Sequence, residues 1–144
     1  MTARARFTVE DDLLFTLARA DLSEADQNAV IALCNLEVNW KQVYWTAVRH
    51  SIAPLVFHHL SRCPMDKLRL PLWLTTQLEG CTAANVLQRE AITQEICMVL
   101  SLFISEGLDV MLCKGAALAT ILYEDSPWYV IPETGAFRSC ESAS

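Results

Sequence analysis

The residues best suited to chemistry lie in one short segment, 110–119 (VMLCKGAALA). Its first three residues predict a short buried strand, and a helix is predicted to begin directly after Gly115. A helix N-terminus presents unpaired N–H groups and partial positive charge. Glycine lets a phosphate approach the backbone closely, and Lys114 adds a full charge beside it. The segment predicts phosphate binding at Lys114, Gly115 and Ala116, although a plain strand-to-helix turn with a solvated lysine explains the same residues.

The chain's other metal-ligand residue types show no comparable spacing. His58 and His59 are neighbours and point to different sides of a helix, and His50 is predicted to lie in a different helix. These histidines are therefore expected to be structural or surface residues. The acids at 10–12 precede a helix and are interpreted as charge at its positive N-terminal end. Downstream of Gly115, no two carboxylates stand at alternate positions, the spacing that puts metal ligands on one face of a strand.

The cysteines and aromatic residues are interpreted as packing residues. The six cysteines include no CxxC pair, so a zinc ribbon or a redox motif is not expected. The cysteines are expected to be buried, reduced thiols. Four large aromatic side chains are interpreted as core and helix-interface residues rather than as stacking platforms for bases: Trp40, Trp45, Phe57 and Trp73.

These residues are carried by a predominantly helical chain. Ser23, with Asp26 three residues on, predicts a capping box, Asn39 predicts an N-cap, and Pro54 fits the first turn of a helix. A stripe at helical spacing, Ile92, Ile96, Val99 and Phe103, belongs to the longest predicted element, and Gly107 is a natural residue to follow its end. The helices are predicted at 9–20, 23–36, 40–50, from 54 to about 60, and 71–105. The fold class is mainly α, leading into a first strand–Gly–helix unit.

Composition bounds the class of protein. The 144 residues are 53% apolar and 19% charged, which excludes bulk disorder. The net charge of −6 argues against bulk nucleic-acid binding, which depends on dense basic residues. No apolar run approaches the length of about twenty residues that a membrane span requires. The expected location is the cytoplasm, with no membrane partner.

The ordered motifs resemble a family of largely uncharacterised bacterial nucleotidyltransferases in the polymerase-beta-like superfamily. The run 112–119 (LCKGAALA) followed by Tyr123 is similar to the family's strand, Lys-Gly turn and helix. The resemblance covers roughly residues 10–125. Further similar positions are Ala47, His50, Ile52, Pro54, Leu55, Leu60, Asn85, Leu87, Glu95 and Gly107.

The resemblance implies a division of the chain and a chemistry. It implies a helical N-terminal region at 1–107, the start of an α/β nucleotidyltransferase domain at 108–125, and a disordered or frame-altered tail at 126–144. In intact relatives, the glycine turn receives the triphosphate of an NTP. Carboxylates on later strands hold Mg²⁺ there, and a nucleotidyl group passes to an acceptor. Lys114, Gly115 and Ala116 are the nucleotide-binding positions that carry over.

The sequence departs from the family after Pro127, because neither an Arg-containing turn nor an Asp-Ile-Asp-like strand follows. A frameshift or premature stop is one explanation, and a natural remnant kept for binding is the other. The expected function is that of an inactive nucleotidyltransferase-family fragment. The alternative is a non-catalytic helical interaction module whose protein partner covers the missing sheet. The strand at 110–112 has no evident partner in the sequence, so marginal stability is expected.

Overall fold

A computed structural model describes residues 7–111 and 138–139. This part of the chain is mainly helical, as predicted. Its elements are α1 (Val9–Leu17), α2 (Glu24–Cys34), α3 (Trp40–Arg49), α4 (Ala53–Arg62), a 3-10 turn (Met65–Lys67), α5 (Leu72–Ser105), β1 (Val110–Met111) and β2 (Arg138–Ser139). None of the helices in the described residues is long and apolar enough to cross a membrane.

The first two helices begin at capping boxes. Ser23 accepts a hydrogen bond from the backbone N–H of Asp26, and the Asp26 carboxylate accepts one from the Ser23 N–H in return. This confirms the predicted box. Thr8 and Asp11 form the same reciprocal pair at α1. Each box satisfies N–H groups that the first helical turn leaves without partners. Helix α1 ends at Leu17, earlier than predicted.

The junction between α3 and α4 is a Schellman motif without glycine. The Ile52 N–H donates to the Ala47 carbonyl at 2.9 Å, and the Ser51 N–H donates to the Val48 carbonyl at 3.0 Å. This pattern requires a left-handed residue at the turn, and Ser51 has φ 57°. Pro54 follows in the first turn of α4, where its missing N–H leaves no hydrogen bond broken.

One hydrophobic core joins α1 to α4 with the start of α5. It lies within the first of two compact units, residues 1–82. Its fully buried side chains come from every one of these helices, including Leu13, Leu17, Val30, Cys34, Val43, Val56, Leu74 and Leu78. Because each helix contributes one apolar face, none of these short helices depends on its intrinsic propensity alone.

The second compact unit, residues 83–144, contains the rest of α5 and both strands. Helix α5 is unbroken through Gly80, where the sequence left a bend or a split open. The predicted stripe Ile92, Ile96, Val99 and Phe103 is confirmed as half-buried, while the positions between are mostly exposed. The predicted boundaries at 107 and 125 separate family regions rather than compact units and stay predictions.

Strand β1 confirms the predicted strand at two of its three positions. It pairs antiparallel with β2, with Val110 opposite Ser139 and Met111 opposite Arg138. The expectation that this strand has no partner is therefore wrong. Strand pairing uses backbone groups, so Arg138–Ser139 can pair without the apolar alternation by which strands are identified in a sequence. The predicted helix after Gly115, and the tail apart from Arg138–Ser139, lie outside the described residues.

Candidate functional site

The predicted phosphate-binding residues, Lys114, Gly115 and Ala116, lie outside the described residues. The structure does describe the chain that leads to them. Helix α5 ends in a second Schellman motif, in which the Leu108 N–H donates to the Phe103 carbonyl at 2.9 Å. Gly107 takes the left-handed conformation at φ 71°, as its predicted place after the helix requires. This turn ends the helix and allows an extended strand to begin within three residues.

Strand β1 positions the start of the candidate segment. Val110 is half-buried and Met111 is exposed, the alternation that a strand with one covered face shows. Two residues separate the end of β1 from Lys114. The pairing with β2 places the backbone of Arg138 opposite Met111, three residues before Lys114. The strand that the phosphate-site prediction requires is therefore present immediately ahead of the lysine.

The acids at 10–12 act in helix capping and packing. Asp11 belongs to the α1 capping box. The Glu10 side chain is almost fully buried, and its Oε1 accepts a hydrogen bond of 2.7 Å from the Asn39 N–H. That backbone hydrogen bond, with others from its own N–H and from Thr8, lowers the pKa of the Glu10 carboxyl below its usual value of 4.5. The interpretation of these acids as helix-start charge holds for Asp11, and Glu10 has a tertiary role as well.

The histidines occupy structural or surface positions. His59 is buried, and its Nε2 lies 2.9 Å from the Arg19 carbonyl oxygen just beyond the end of α1. His58 is half-buried. Burial first, then the neighbouring His59 and Arg62, lower its pKa. His50 is exposed at the end of α3. Residues 7–111 contain no group of three or more His, Cys, Asp or Glu side chains arranged to hold a metal ion.

The aromatic residues divide into two groups. Trp40 and Phe57 are half-buried against the core, as predicted. Trp45 is 65% exposed, so the prediction that it is a core or helix-interface residue is wrong. Trp73 is 40% exposed and is not a core residue, but its ring lies 6.0 Å from that of Tyr44 on α3, as predicted for a helix-interface residue. Helical spacing does indicate the exposure of Trp45, because it lies on the side of α3 opposite the buried Val43 and Ala47. The sequence around Trp45 also lacks acidic residues: no Asp or Glu occurs between Glu37 and Asp66.

The described cysteines are free thiols, and the expectation that they are buried holds for two of the four. Cys34 and Cys63 are buried, Cys81 is half-buried, and Cys97 is exposed. Burial, together with the nearby Cys63 thiol, raises the pKa of Cys34 to about 12. Burial raises the pKa of Cys63 as well. These two side chains therefore act as small apolar core residues rather than as nucleophiles.

A comparison with known protein families gives a match. The sequence model of a family described as "uncharacterised nucleotidyltransferase" matches residues 37–127, more than half of the chain. The match begins just before α3, spans α4, α5 and β1, and includes the segment with Lys114 and Gly115. No curated protein and no solved structure is significantly similar to the chain.

Proposed function

Because the chain belongs to the uncharacterised nucleotidyltransferase family, we propose that it binds the triphosphate of an NTP at Lys114, Gly115 and Ala116. The observation that carries the proposal is the family match itself, which extends from α3 through these three residues. The architecture ahead of them supports it. A long helix, a glycine turn and a strand precede the lysine in the order that a phosphate-binding strand-to-helix joint requires.

The chemistry of phosphate binding at this joint follows from its residue types. Backbone N–H groups at a helix N-terminus donate hydrogen bonds to phosphate oxygens, and Gly115 has no side chain to obstruct their approach. The Lys114 ammonium group neutralises part of the triphosphate charge. Mg²⁺, carried on the triphosphate, supplies further charge neutralisation in metal-dependent nucleotidyl transfer.

The proposal includes nucleotide binding by this chain but not nucleotidyl transfer. Transfer depends on carboxylates that hold the metal ions against the reacting phosphate, because positioning and charge neutralisation supply nearly all of such catalysis. The sequence downstream of Gly115 has no acid-x-acid pair. The proposal is therefore an NTP-binding chain that does not by itself transfer the nucleotidyl group to an acceptor.

A nucleotide titration tests this proposal. Isothermal titration with Mg²⁺–ATP, and with the other three NTPs, is expected to show binding to the full chain. Lys114→Ala is expected to weaken it by tenfold or more, because a charge-assisted hydrogen bond is lost. Lys67→Ala is the matched control, since Lys67 is exposed in the 3-10 turn, far along the chain from the joint. No binding of any NTP, or equal loss in both variants, contradicts the proposal.

An incorporation assay and the coding DNA test the claim of inactivity. Incubation with α-labelled NTP and Mg²⁺ is expected to label no product. Labelling that Lys114→Ala abolishes would show that the chain is an active transferase. The DNA downstream of codon 127, translated in all three frames, shows whether another frame encodes an Arg turn and an Asp-x-Asp strand. Such a frame would assign transfer to the intact gene.

A second candidate function is that of a non-catalytic interaction module. One observation favours it: Leu87, Met98 and Leu102 are each at least 60% exposed along α5, on the side away from the half-buried stripe. Exposed apolar side chains in a row characterise a surface that binds a partner protein. A stable complex that Met98→Glu disrupts, together with no affinity for any NTP, would favour this function over the first.

A further inference from the structure

The segment from Val38 to Met65 has an electrostatic character opposite to that of the whole chain. The chain has a net charge of −6, yet these 28 residues contain no Asp or Glu. They carry Lys41, Arg49 and Arg62, together with all three histidines. This acid-free segment forms α3 and α4 and lies inside the family match. No acid on α3 or α4 themselves therefore offsets Lys41 and Arg49, although the Glu10 carboxylate of α1 meets the start of α3 at Asn39 and Asp21 lies near His59 and Arg62.

An exposed tryptophan lies at the centre of α3. Trp45 is 65% exposed, which is unusual for the largest apolar side chain. Gln42 precedes it by three residues and Arg49 follows it by four, so all three share one side of the helix. With Thr46 and Val48 they border an open depression of about 340 Å³. We refer to Gln42, Trp45 and Arg49 as the α3 face.

The polar groups of the α3 face are available to a ligand. Among residues 7–111, the ion pair present joins Arg19 to Asp26, and Arg49 takes no part in one. The side-chain amide of Gln42 likewise forms no hydrogen bond with the described residues, although its backbone N–H donates to Asn39. An aromatic plane is thus flanked by an unused amide on one side and an unused guanidinium on the other.

One aromatic ring contacts Trp45, and a second contacts that ring. The Tyr44 ring lies 5.2 Å from the Trp45 ring at 67°, and 6.0 Å from the Trp73 ring at 82°. Both are edge-to-face arrangements that aromatic pairs favour. The Tyr44 hydroxyl also donates to Gln77 Oε1 at 3.4 Å. Tyr44 is therefore fixed between α3 and α5, and its ring gives the exposed indole of Trp45 one packed edge.

We propose that the α3 face binds a nucleotide unit of a single-stranded nucleic-acid acceptor. The base stacks on Trp45, the Gln42 amide bonds to its edge, and Arg49 contacts the adjacent phosphate. Proteins that bind single strands stack the bases on aromatic side chains and place cations beside the backbone. This inference rests on the proposed function: it adds, to a chain that binds an NTP without transferring its nucleotidyl group, a binding site for the acceptor. The same chemistry fits the base of the donor NTP, so the two sources require separate tests.

The α3 face is expected to contact only one or two nucleotides, and its affinity for the single strand is expected to depend weakly on salt concentration. Lys41 and Arg49 on α3 provide one or two phosphate contacts, so the logarithm of the affinity is expected to fall with the logarithm of salt at a slope of about −1. A dense basic surface would give a much steeper slope. This expectation agrees with the acidic total charge, which argues against bulk nucleic-acid binding.

The test is fluorescence anisotropy of short labelled single-stranded RNA and DNA with the full chain. Trp45→Ala is expected to weaken binding about tenfold, the loss of one stacked base. Trp45→Phe is expected to retain most of the affinity, and Arg49→Gln is expected to make the salt slope shallower. Phe15→Ala is the matched control, because Phe15 is 63% exposed on α1 and lies outside the α3 face. Circular dichroism of each variant checks that it remains folded.

The outcomes separate this inference from the proposed function. Mg²⁺–ATP binding that survives Trp45→Ala but not Lys114→Ala, together with oligonucleotide binding that requires Trp45, supports both. ATP binding without oligonucleotide binding supports the donor site and overturns the acceptor site. Loss of ATP binding in Trp45→Ala would mean that the α3 face holds the donor base, which overturns the inference. Self-association that Trp45→Ala abolishes, with no oligonucleotide bound, would make the face a protein interface and overturn it too.

Discussion

The Glu10 carboxylate accepts a hydrogen bond of 2.7 Å from the backbone N–H of Asn39. The two residues are 29 positions apart, and the bond joins the first turn of α1 to the residue that caps α3. Asn39 uses its side chain to accept from the Gln42 N–H, while its own N–H donates to Glu10. The start of α3, the helix that carries the α3 face, is therefore held from both sides.

Replacing Glu10 is expected to destabilise the protein in a pH-dependent way. Glu10→Gln is expected to lower the free energy of unfolding by about 1 kcal/mol at neutral pH, since the hydrogen bond loses its charge. The folded-state pKa of Glu10 lies below its unfolded value of 4.5. Its stabilisation is therefore complete well above pH 4.5 and is lost as the pH falls through the folded pKa.

Urea denaturation of both proteins between pH 7 and pH 3 measures this effect. The difference in unfolding free energy between wild type and Glu10→Gln should shrink at the acidic end. Asp12→Asn is the control. Asp12 is exposed in the same first turn, so its substitution removes a similar favourable interaction with the helix dipole but no bond to Asn39. Equal effects of the two substitutions at every pH would show that the bond to Asn39 contributes nothing.

Ser51 is expected to be a site where glycine stabilises the protein. Its φ of 57° lies in the left-handed region, which is unfavourable for residues with a Cβ. Ser51→Gly removes this strain and is expected to raise the unfolding free energy by about 0.5 to 1 kcal/mol. Ser51→Ala should be nearly neutral, because alanine keeps the Cβ and Ser51 is exposed. Thermal denaturation of the wild type, Ser51→Gly and Ser51→Ala measures these differences. A glycine variant no more stable than the alanine variant would contradict the prediction.

Substitution by alanine is expected to have opposite effects on stability at Gly80, within α5, and at Gly107, just after its end. Neither has an atom within 4 Å of the position that a Cβ would occupy, so steric clash affects neither substitution. Gly80→Ala is expected to stabilise by about 1 kcal/mol, the difference in helix propensity. Gly107→Ala is expected to destabilise by about 1 kcal/mol, because its φ is 71°. Denaturant titrations that show the same sign for both variants would refute the assigned backbone conformations.

The buried thiols are expected to resist modification. In a variant with Cys113 and Cys140 changed to serine, an aromatic disulfide reagent at pH 8 should react quickly with Cys97. It should reach Cys34 only when the protein unfolds, because Cys34 is 1% exposed and its pKa is about 12. Adding Cys97→Ser removes the fast phase and identifies it. Rapid labelling of Cys34 in the folded protein, located by mass spectrometry, would contradict the core assignment.

Local signals in the sequence determined the helices. A capping box at Ser23 and Asp26, an Asn39 cap, a Pro54 in the first turn and a Gly107 after the last helix are interactions within a few residues of one another. Each depends only on neighbouring side chains and backbone, so each can be predicted from the sequence without knowledge of the fold. The family resemblance, carried by the run 112–119 and by positions in α3 and α4, was also determined by the sequence alone.

The tertiary structure decided which faces are covered and which distant groups meet. Trp45 lies on the side of α3 opposite the buried Val43 and Ala47, and the packing of the helices against those two residues leaves its indole 65% exposed. The bond from Glu10 to Asn39 and the pairing of β1 with Arg138–Ser139 join groups about 27 to 29 residues apart. Ser51 adopts a left-handed turn without glycine because the packing of α3 and α4 against the core offsets its strain. Such features depend on the sum of contacts across the whole unit, which no local pattern encodes.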